Sequence, residues 1–244
     1  MTILDIRGVS KSFRGLRALD QVDVSVDEGE IVGIIGANGA GKTTLFNCVT
    51  GAFPPDAGTV TLDGRDVTGV KMHTLARAGL VRTFQLMRPF ASMTTLENVT
   101  IAVQSRGVRR ERAARAEAAT LLERTGLVTW ADAESSTLPT AVQKRLELTR
   151  ALAMRPRVLL LDEVLAGLVP SERTPVLDLL DELRREEGVA MLFIEHIMAA
   201  VRRLSDRVVM MDQGSVIARG DVDDVLQDPR VIEAYLGKEY GHAA

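Results

Sequence analysis

The stretch of the sequence most suggestive of chemistry is GANGAGKTT at residues 36–44, which has the composition and spacing of a phosphate-binding loop. Glycine tolerates backbone conformations that other residues avoid, so Gly36, Gly39 and Gly41 allow the chain to curl tightly. Successive N–H groups can then surround the β-phosphate of a nucleotide at the N-terminus of the following helix. The loop residues predicted to bind nucleotide are Gly36, Ala37, Asn38, Gly39, Ala40, Gly41, Lys42, Thr43 and Thr44.

The three residues that end this loop have separate predicted roles. Lys42 supplies a positive charge for the β- and γ-phosphates, Thr43 offers a hydroxyl to Mg²⁺, and Thr44 can contact the α-phosphate. An ordinary glycine-rich turn between a strand and a helix is the alternative interpretation. A dinucleotide-binding fold is disfavoured because the third glycine of G-x-G-x-x-G is missing.

Two carboxylates follow an apolar run at residues 157–163, RVLLLDE, where a second half of a nucleotide site is expected. Asp162 is predicted to hold Mg²⁺ through water, and Glu163 to polarise the attacking water. Taken alone, such a pair is more often a helix cap. A third candidate is His196, which ends the run VAMLFIEH within predicted reach of a γ-phosphate, whereas His73 and His242 are interpreted as bystanders.

Short apolar runs predict the strands that position these residues. The runs at residues 3–6, 30–36, 157–163 and 189–196 are continuously apolar, which favours parallel strands covered on both faces. Residues 59–64 and 208–220 instead predict antiparallel strands with glycine turns. The sequence therefore predicts an α/β fold.

The middle of the chain is predicted to be helical. Thr94 and Glu97 have the spacing of a capping box, and a charge-rich helix is predicted to end at Gly126. We expect residues 92–152 to form a helical lobe inserted into a core made of residues 1–91 and 153–244.

Composition narrows the choice of partners and compartment. The 244 residues include 30 basic and 33 acidic side chains, and the formal charge of -3 gives no electrostatic basis for nucleic-acid binding. Cys48 is the single cysteine, which excludes internal disulfides and favours a reducing cytoplasm. The first residues contain no secretion signal, and no apolar run approaches the roughly 18 residues needed to span a bilayer.

The order and spacing of GANGAGKTT, RTFQ at 82–85, LLLDE at 159–163, AGLVPSE at 166–172 and FIEH at 193–196 resemble an ATP-binding-cassette (ABC) ATPase over nearly the whole chain. The closest resemblance is to the ATP-binding subunits of branched-chain amino-acid importers. It implies a RecA-like P-loop NTPase core, an antiparallel β-lobe, a helical lobe, and head-to-tail dimers that enclose two ATP molecules.

The resemblance also implies roles for individual residues. The glutamine matching Gln85 contacts Mg²⁺ and the attacking water, Glu163 matches the general base, and His196 matches the histidine that contacts the γ-phosphate. Phe13 falls where the family stacks an aromatic ring on adenine, although a core aromatic at a strand end is an equal alternative.

A departure from the family falls at residues 138–142, where LPTAV stands in place of the signature LSGGQ that clasps the γ-phosphate bound to the other subunit. The signature-equivalent residues are Leu138, Pro139, Thr140, Ala141 and Val142. Proline has neither a hydroxyl nor an N–H, and each charge-assisted hydrogen bond lost costs about 1.5–3 kcal/mol. A capping box between Thr140 and Gln143 is expected to keep the helix intact. We therefore expect asymmetric sites, completed by a partner ATPase whose signature is intact, or two weak sites in a homodimer.

Four apolar residues between the core and the helical lobe are candidates for docking a membrane permease: Leu86, Met87, Phe90 and Met93. Packing between the lobes is the alternative for each. The leading functional hypothesis is an importer subunit, attached through its permease to the inner face of the cell membrane, that couples Mg-ATP hydrolysis to uptake of an amino acid. Two alternatives are a soluble ABC ATPase of DNA repair or translation and a nucleotide sensor with little turnover.

Overall fold

The computed structural model describes residues 1–83 and 89–240, with side chains described as far as residue 234. Its strands are β1 Thr2–Phe13, β2 Leu16–Asp27, β3 Ile31–Ile35, β4 Ala57–Leu62, β5 Arg65–Asp66, β6 Leu80–Arg82, β7 Val158–Asp162, β8 Ala190–Ile194, β9 Arg207–Asp212 and β10 Ser215–Gly220. Its helices are α1 Lys42–Val49, α2 Met72–Arg77, α3 Thr95–Ser105, α4 Glu111–Arg124, α5 Thr140–Leu152, α6 Pro170–Glu187, α7 Met198–Leu204, α8 Val222–Gln227 and α9 Pro229–Tyr240.

Six strands form the core sheet in the order β10-β9-β3-β8-β7-β6. The strands β3, β7 and β8 are buried along their whole length and pair in parallel. This confirms the predicted parallel strands at 30–36, 157–163 and 189–196, because a strand covered on both faces needs apolar side chains at every position. At their carboxyl ends, β3 leads into the loop before α1, β7 ends at Asp162 with Glu163 next, and β8 is followed by His196.

The prediction for residues 3–6 is wrong in its pairing direction. These residues lie in β1, the strand that pairs antiparallel with both β2 and β4 in a second sheet of order β2-β1-β4-β5. Arg14 and Gly15 form the two-residue turn between β1 and β2, with φ values of 48° and 87°. Positive φ at both positions is the pattern of a hairpin turn that matches strand twist, and it directs the chain back alongside β1.

The predicted antiparallel strands at 59–64 and 208–220 are present, but they belong to different sheets. The first is β4 in the antiparallel sheet. The second is the hairpin of β9 and β10, in which β9 also pairs in parallel with β3. The hairpin therefore extends the core sheet, and its turn at Gln213 and Gly214 lies near the carboxyl end of β3.

The helical middle of the chain is confirmed as α3, α4 and α5. Thr94 and Glu97 form the predicted capping box at the start of α3, and Gly126, with φ of 67°, follows the end of α4. One face of α5, with Leu146, packs in an apolar cluster shared with α3 and α4, while Leu148 on its other side packs with the core sheet. Helix α5 thus packs against both the helical segment and the core. The lobe boundaries at 92 and 152 stay a prediction.

Candidate nucleotide site

The loop between β3 and α1 is built around glycines that no other residue could replace without rearrangement. Gly36 has φ of 147°, and a Cβ atom there would lie 2.2 Å from the carbonyl oxygen of Met211. Gly41 has φ of 99°, and its Cβ would lie 2.6 Å from the carbonyl oxygen of Ala18. Both positions therefore require glycine for its conformation and for close packing. The loop ends where α1 begins at Lys42, which directs the first N–H groups of the helix toward the loop.

Lys42 lies over this loop rather than in solvent. Its side chain is folded back so that Nζ donates to the carbonyl oxygens of Gly36 at 2.6 Å and Ala37 at 3.0 Å. The residue is only 6% exposed. A cation at this place is positioned to attract an anionic group that enters the loop.

The loop borders a cavity of about 520 Å³, which is large enough for a nucleotide. The residues that line it are Leu16, Arg17, Ala18, Asn38, Gly39, Ala40, Gly41, Lys42, Thr43, Thr44, Glu163, Gln213 and Gly214. Seven of the nine predicted loop residues line this cavity, together with the predicted base Glu163. The sequence reasoning missed Leu16, which follows the β1–β2 turn, and Gln213, in the β9–β10 turn, since nothing local shows that these two hairpins meet the loop.

Asp162 ends β7 in a fully buried position. Its Oδ2 accepts a hydrogen bond from Nη2 of Arg82 at 2.6 Å, and its backbone N–H donates to Oγ1 of Thr83 at 3.3 Å. Oδ1 of the same carboxylate has no hydrogen-bond partner among the described residues. A buried carboxylate oxygen without a partner is costly, so this atom marks a place for a further ligand.

Glu163 follows immediately, in the left-handed backbone region with φ of 50°. A residue other than glycine is uncommon there, and such positions occur frequently at active sites. The backbone N–H of Glu163 donates to the carbonyl oxygen of Ile194 at 3.0 Å, which holds this conformation. Its Oε1 lies 2.9 Å from Nε2 of His196. The structure thus brings together two residues that the sequence separates by 33 positions.

Glu195 is a buried carboxylate that the sequence reasoning missed. It is 1% exposed, and burial raises its pKa above the usual value of 4.5. Oε1 accepts a hydrogen bond from the backbone N–H of Leu165 at 2.8 Å, and Oε2 accepts from the backbone N–H of His196 at 3.3 Å. Glu195 therefore fixes both the loop that follows Glu163 and the backbone of His196.

Lys144, on α5, contacts the same loop from the helical segment. Its Nζ donates to the carbonyl oxygen of Glu163 at 3.2 Å and to that of Ala166. Desolvation by burial lowers the pKa of Lys144. The signal that could have found this residue is its place in QKRLELTRAL, one turn after the altered segment.

Phe13 lies at the end of β1 and is 43% exposed. Its ring packs edge-on against Phe53, with centroids 5.3 Å apart and an interplanar angle of 85°. It does not line the cavity, whereas Leu16 in the same hairpin does. Because Phe13 does not line the cavity, stacking of its ring on adenine stays a prediction.

The altered segment lies at the start of α5, and the expected capping box is absent. Pro139 is the N-cap and Thr140 the first helical residue, so the Thr140 hydroxyl does not cap the helix. Gln143 instead donates from Nε2 to the carbonyl oxygens of Leu138 at 3.0 Å and Ser135 at 3.3 Å. The first intrahelical bond runs from the N–H of Gln143 to the carbonyl of Pro139.

The side chains at this helix start differ in exposure. Leu138 is buried in the helical cluster, while Pro139 and Thr140 are exposed and Ala141 and Val142 are half-buried. Within the described ranges, no acceptor contacts the backbone N–H groups of residues 140–142. These groups are available to an incoming anion, although the segment offers no side-chain hydroxyl at the proline.

The predicted residues Gln85, Leu86 and Met87 lie outside the described residues. Of the other two docking candidates, Phe90 is 45% exposed and Met93 is half-buried. Asn98 fixes the segment that carries them, since its side chain bonds the backbone N–H and carbonyl of Phe90. None of the helices in the described part of the chain is both long and apolar enough to cross a bilayer.

A phosphate loop, a carboxylate pair at a strand end and a histidine on the next strand together define a nucleotide-hydrolysing site of the P-loop ATPase class. The sequence profile of the ABC transporter family matches residues 19–166, and the profile described as branched-chain amino acid ATP-binding cassette transporter matches residues 215–241. The chain belongs to the ABC transporter family and is a transport-coupled ATPase.

Similar proteins and structures support this assignment. The chain is 41% identical to the high-affinity branched-chain amino acid transport ATP-binding protein BraF of Pseudomonas aeruginosa, over 97% of this chain and 98% of the relative. It is 37% identical to the probable branched-chain amino acid transport ATP-binding protein LivG of Archaeoglobus fulgidus, over 98% and 97%. The ADP conformation of MJ1267, an ATP-binding cassette of an ABC transporter, has a TM-score of 0.88 at 33% identity and covers 97% of this chain and 99% of that one.

Proposed function

We propose that this chain binds and hydrolyses Mg-ATP at a dimer interface and so drives uptake of branched-chain-type amino acids through a membrane permease. ABC importer ATPases dimerise and work with permease subunits, and the relatives at 37–41% identity are named for branched-chain amino acid transport. The observation that carries the proposal is the cavity in which the phosphate loop and Glu163 converge. We expect the chain to lie on the inner face of the cell membrane, held there by the permease.

The residues present fit a magnesium ion. Oδ1 of Asp162 is buried and has no partner in the described part of the chain, and Thr43 lies in the cavity with a hydroxyl. The described residues contain no cluster of three or more His, Cys, Asp or Glu side chains suited to a metal. This suits Mg²⁺, which is commonly bound by one or two protein groups together with substrate phosphates. When bound, Mg²⁺ would neutralise charge on the β- and γ-phosphates.

The chain's own residues have separate roles in hydrolysis. Lys42 exchanges its contacts with loop carbonyls for the phosphates, and Thr44 contacts the α-phosphate. Glu163 accepts a proton from the attacking water, and its hydrogen bond from His196 holds the carboxylate in place. Once a γ-phosphate is bound, Nε2 of His196 would donate a hydrogen bond to it instead. Gln85 remains a proposed ligand of Mg²⁺ and of the attacking water.

We further propose that the two sites of a dimer are unequal when this chain pairs with an ATPase that carries an intact signature. The support is the contrast between a complete cis half, with Glu163 and His196 in contact, and a helix start that presents Pro139. The first-turn N–H groups of α5 and its dipole supply part of the lost stabilisation. The alternative favoured by the same proline is a nucleotide sensor, which would bind ATP but release no phosphate over multiple turnovers.

The docking proposal concerns Phe90 and Met93. Arg150 lies over the Phe90 ring, with 5.3 Å between Cζ and the ring centroid, and leaves 45% of the residue exposed. Phe90→Glu should prevent co-purification with the permease, because it places a charge in an apolar contact. Val128→Glu is the matched control, since Val128 is 53% exposed elsewhere in the helical segment. Equal permease recovery with both variants would contradict docking at Phe90.

The transport proposal is tested by uptake of radiolabelled leucine in cells of the source organism that lack the gene. Wild-type chain should restore uptake, and Glu163→Gln should not, although it folds and binds ATP. Uptake of radiolabelled glutamate serves as the control and should be unaffected. Unchanged leucine uptake in the deletion strain would contradict the proposed substrate class, whereas hydrolysis by the purified chain would still test the ATPase itself.

A further inference from the structure

A buried arginine lies next to Asp162, the carboxylate that is predicted to bind Mg²⁺. Arg82 ends β6, and its side chain is 5% exposed beside an Asp162 side chain that is 1% exposed. Nη2 of Arg82 donates to Oδ2 of Asp162 at 2.6 Å, and Nη1 donates to Oδ1 of Asn47 at 2.6 Å. The planar guanidinium therefore bridges two elements in a way that a lysine could not reproduce.

The two elements bridged by Arg82 carry the two halves of the nucleotide site. Asn47 lies on α1 four residues after Thr43, so both project from the same face of that helix. Asp162 ends β7, which pairs in parallel with the strand of Arg82. The Cζ atom of Arg82 also lies 5.5 Å from the centroid of the Phe46 ring, which fixes the guanidinium plane against α1.

This arrangement leaves the Asp162 carboxylate with one orientation. Oδ2 is held by Arg82, while Oδ1 is buried without a hydrogen-bond partner among the described residues. Rotation of the carboxylate would break a charge-assisted bond in a dry environment, which is strongly unfavourable. Without Arg82, the buried carboxylate would lose its charge-assisted hydrogen bond and be free to turn away from the site.

We propose that Arg82 is a positioning residue that orients Oδ1 of Asp162 toward the magnesium of bound Mg-ATP and ties the orientation of Asp162 to α1 through Asn47. The inference rests on the proposed Mg-ATP function. The expected effect is on metal affinity in the first place, because the hydrogen bonds of Arg82 to Asp162 and Asn47 hold the carboxylate that is predicted to bind Mg²⁺. Carboxylates that bind metals lose affinity when such outer partners are removed.

The test measures binding rather than turnover. N-methylanthraniloyl-ATP fluorescence gives the nucleotide affinity without Mg²⁺, and a Mg²⁺ titration at fixed nucleotide gives the metal midpoint. Arg82→Met should raise the Mg²⁺ midpoint about 10- to 100-fold, with an affinity for metal-free nucleotide within about 3-fold of wild type. Arg82→Lys, which keeps the charge near Asp162 but loses the bridge to Asn47, should give an intermediate midpoint. Asn47→Ala should give the smallest shift.

The control is Arg106→Met, which breaks an ion pair with Glu117 between α3 and α4, where Nη2 lies 2.7 Å from Oε1 and neither residue lines the nucleotide cavity. It should leave the Mg²⁺ midpoint unchanged. An unchanged or lowered midpoint in folded Arg82→Met would overturn the proposal, and if that variant does not fold, the same result in Arg82→Lys would do so. A wild-type chain that does not bind the nucleotide, or binds it without regard to Mg²⁺, would overturn the proposed function and this inference together.

Discussion

The residues around the phosphate loop and those at the start of α5 differ in how well they suit ATP hydrolysis. Around the loop, Lys42 bonds the loop carbonyls and Glu163 bonds His196, while Glu195 and Lys144 hold the segment that follows Glu163 in place. At the start of α5 the helix is intact, but Pro139 offers no hydroxyl at the position predicted to match the signature serine.

The difference shows that folding and chemistry constrain this segment separately. Helix α5 needs only an N-cap with extended backbone, a buried Leu138 and apolar faces toward two clusters, and LPTAVQKRLELTRAL satisfies all three. Binding of a γ-phosphate needs a hydroxyl and additional N–H donors at the first turn. LPTAV is therefore compatible with the fold, but it should weaken the binding of a γ-phosphate held by the partner subunit.

The largest effect is expected from restoring the signature. The repaired variant carries Pro139→Ser, Thr140→Gly, Ala141→Gly and Val142→Gln, and thus reads LSGGQ. Two regained charge-assisted hydrogen bonds should raise steady-state phosphate release by its homodimer about 10²- to 10⁴-fold over wild type. Adding Glu163→Gln should abolish the gain. If the repaired variant is no faster than wild type, LPTAV does not limit the rate of hydrolysis.

The histidine comes next in expected effect. In the repaired variant, His196→Ala removes a hydrogen bond to Glu163 and a donor to the γ-phosphate, which should lower kcat about 10- to 100-fold. His73→Ala, at an exposed position on α2, is the control and should change nothing. Equal rates for the two histidine variants would exclude His196 from the reaction.

Lys144 tests whether the two regions are mechanically linked. In the repaired variant, Lys144→Met loses both bonds to the carbonyls of the Glu163 loop, and kcat should fall about 3- to 10-fold with KM unchanged, because the base is held less firmly. Lys144→Arg should recover part of the rate. Arg145→Met, which alters a neighbouring position that lines a different cavity, should have no effect.

The smallest effect concerns stability and pH. Burial raises the folded-state pKa of Glu195 above 4.5. At pH values just above 4.5, the folded state therefore binds more protons than the unfolded state. The stabilising contribution of Glu195 should therefore fall as pH rises above about 4.5. Relative to Glu195→Gln, the Tm of wild type should decrease as the pH rises above about 4.5. A constant difference in Tm would contradict the raised pKa.

The sequence was sufficient for the parts of the site that depend on local chemistry. The glycine pattern at 36–44, the carboxylates after RVLLLDE and the buried parallel strands were all predictable, because each requires particular residue types at short spacing. The pairing of β1 was not, since a run of apolar residues does not encode strand direction. The turn at Arg14 and Gly15 carries that information.

The supporting residues could not be predicted, because their partners are distant in sequence. Arg82 and Asp162 are 80 positions apart, and Lys144 meets Glu163 across 19 positions. Each is an ordinary charged residue by type, and only the folded arrangement buries it beside the site. The capping box expected at Thr140 failed for a related reason, since Gln143 finds carbonyl acceptors in the preceding turn.

Mixed dimers test most directly whether this chain combines a competent nucleotide site with a weak signature. Differently tagged wild-type and repaired chains are purified as a heterodimer, with Glu163→Gln placed in one subunit or the other. Glu163→Gln in the wild-type subunit should abolish phosphate release, because only the site of that subunit faces LSGGQ. The same change in the repaired subunit should leave the rate nearly intact. Equal losses in the two arrangements would show that LPTAV serves a γ-phosphate as well as LSGGQ does.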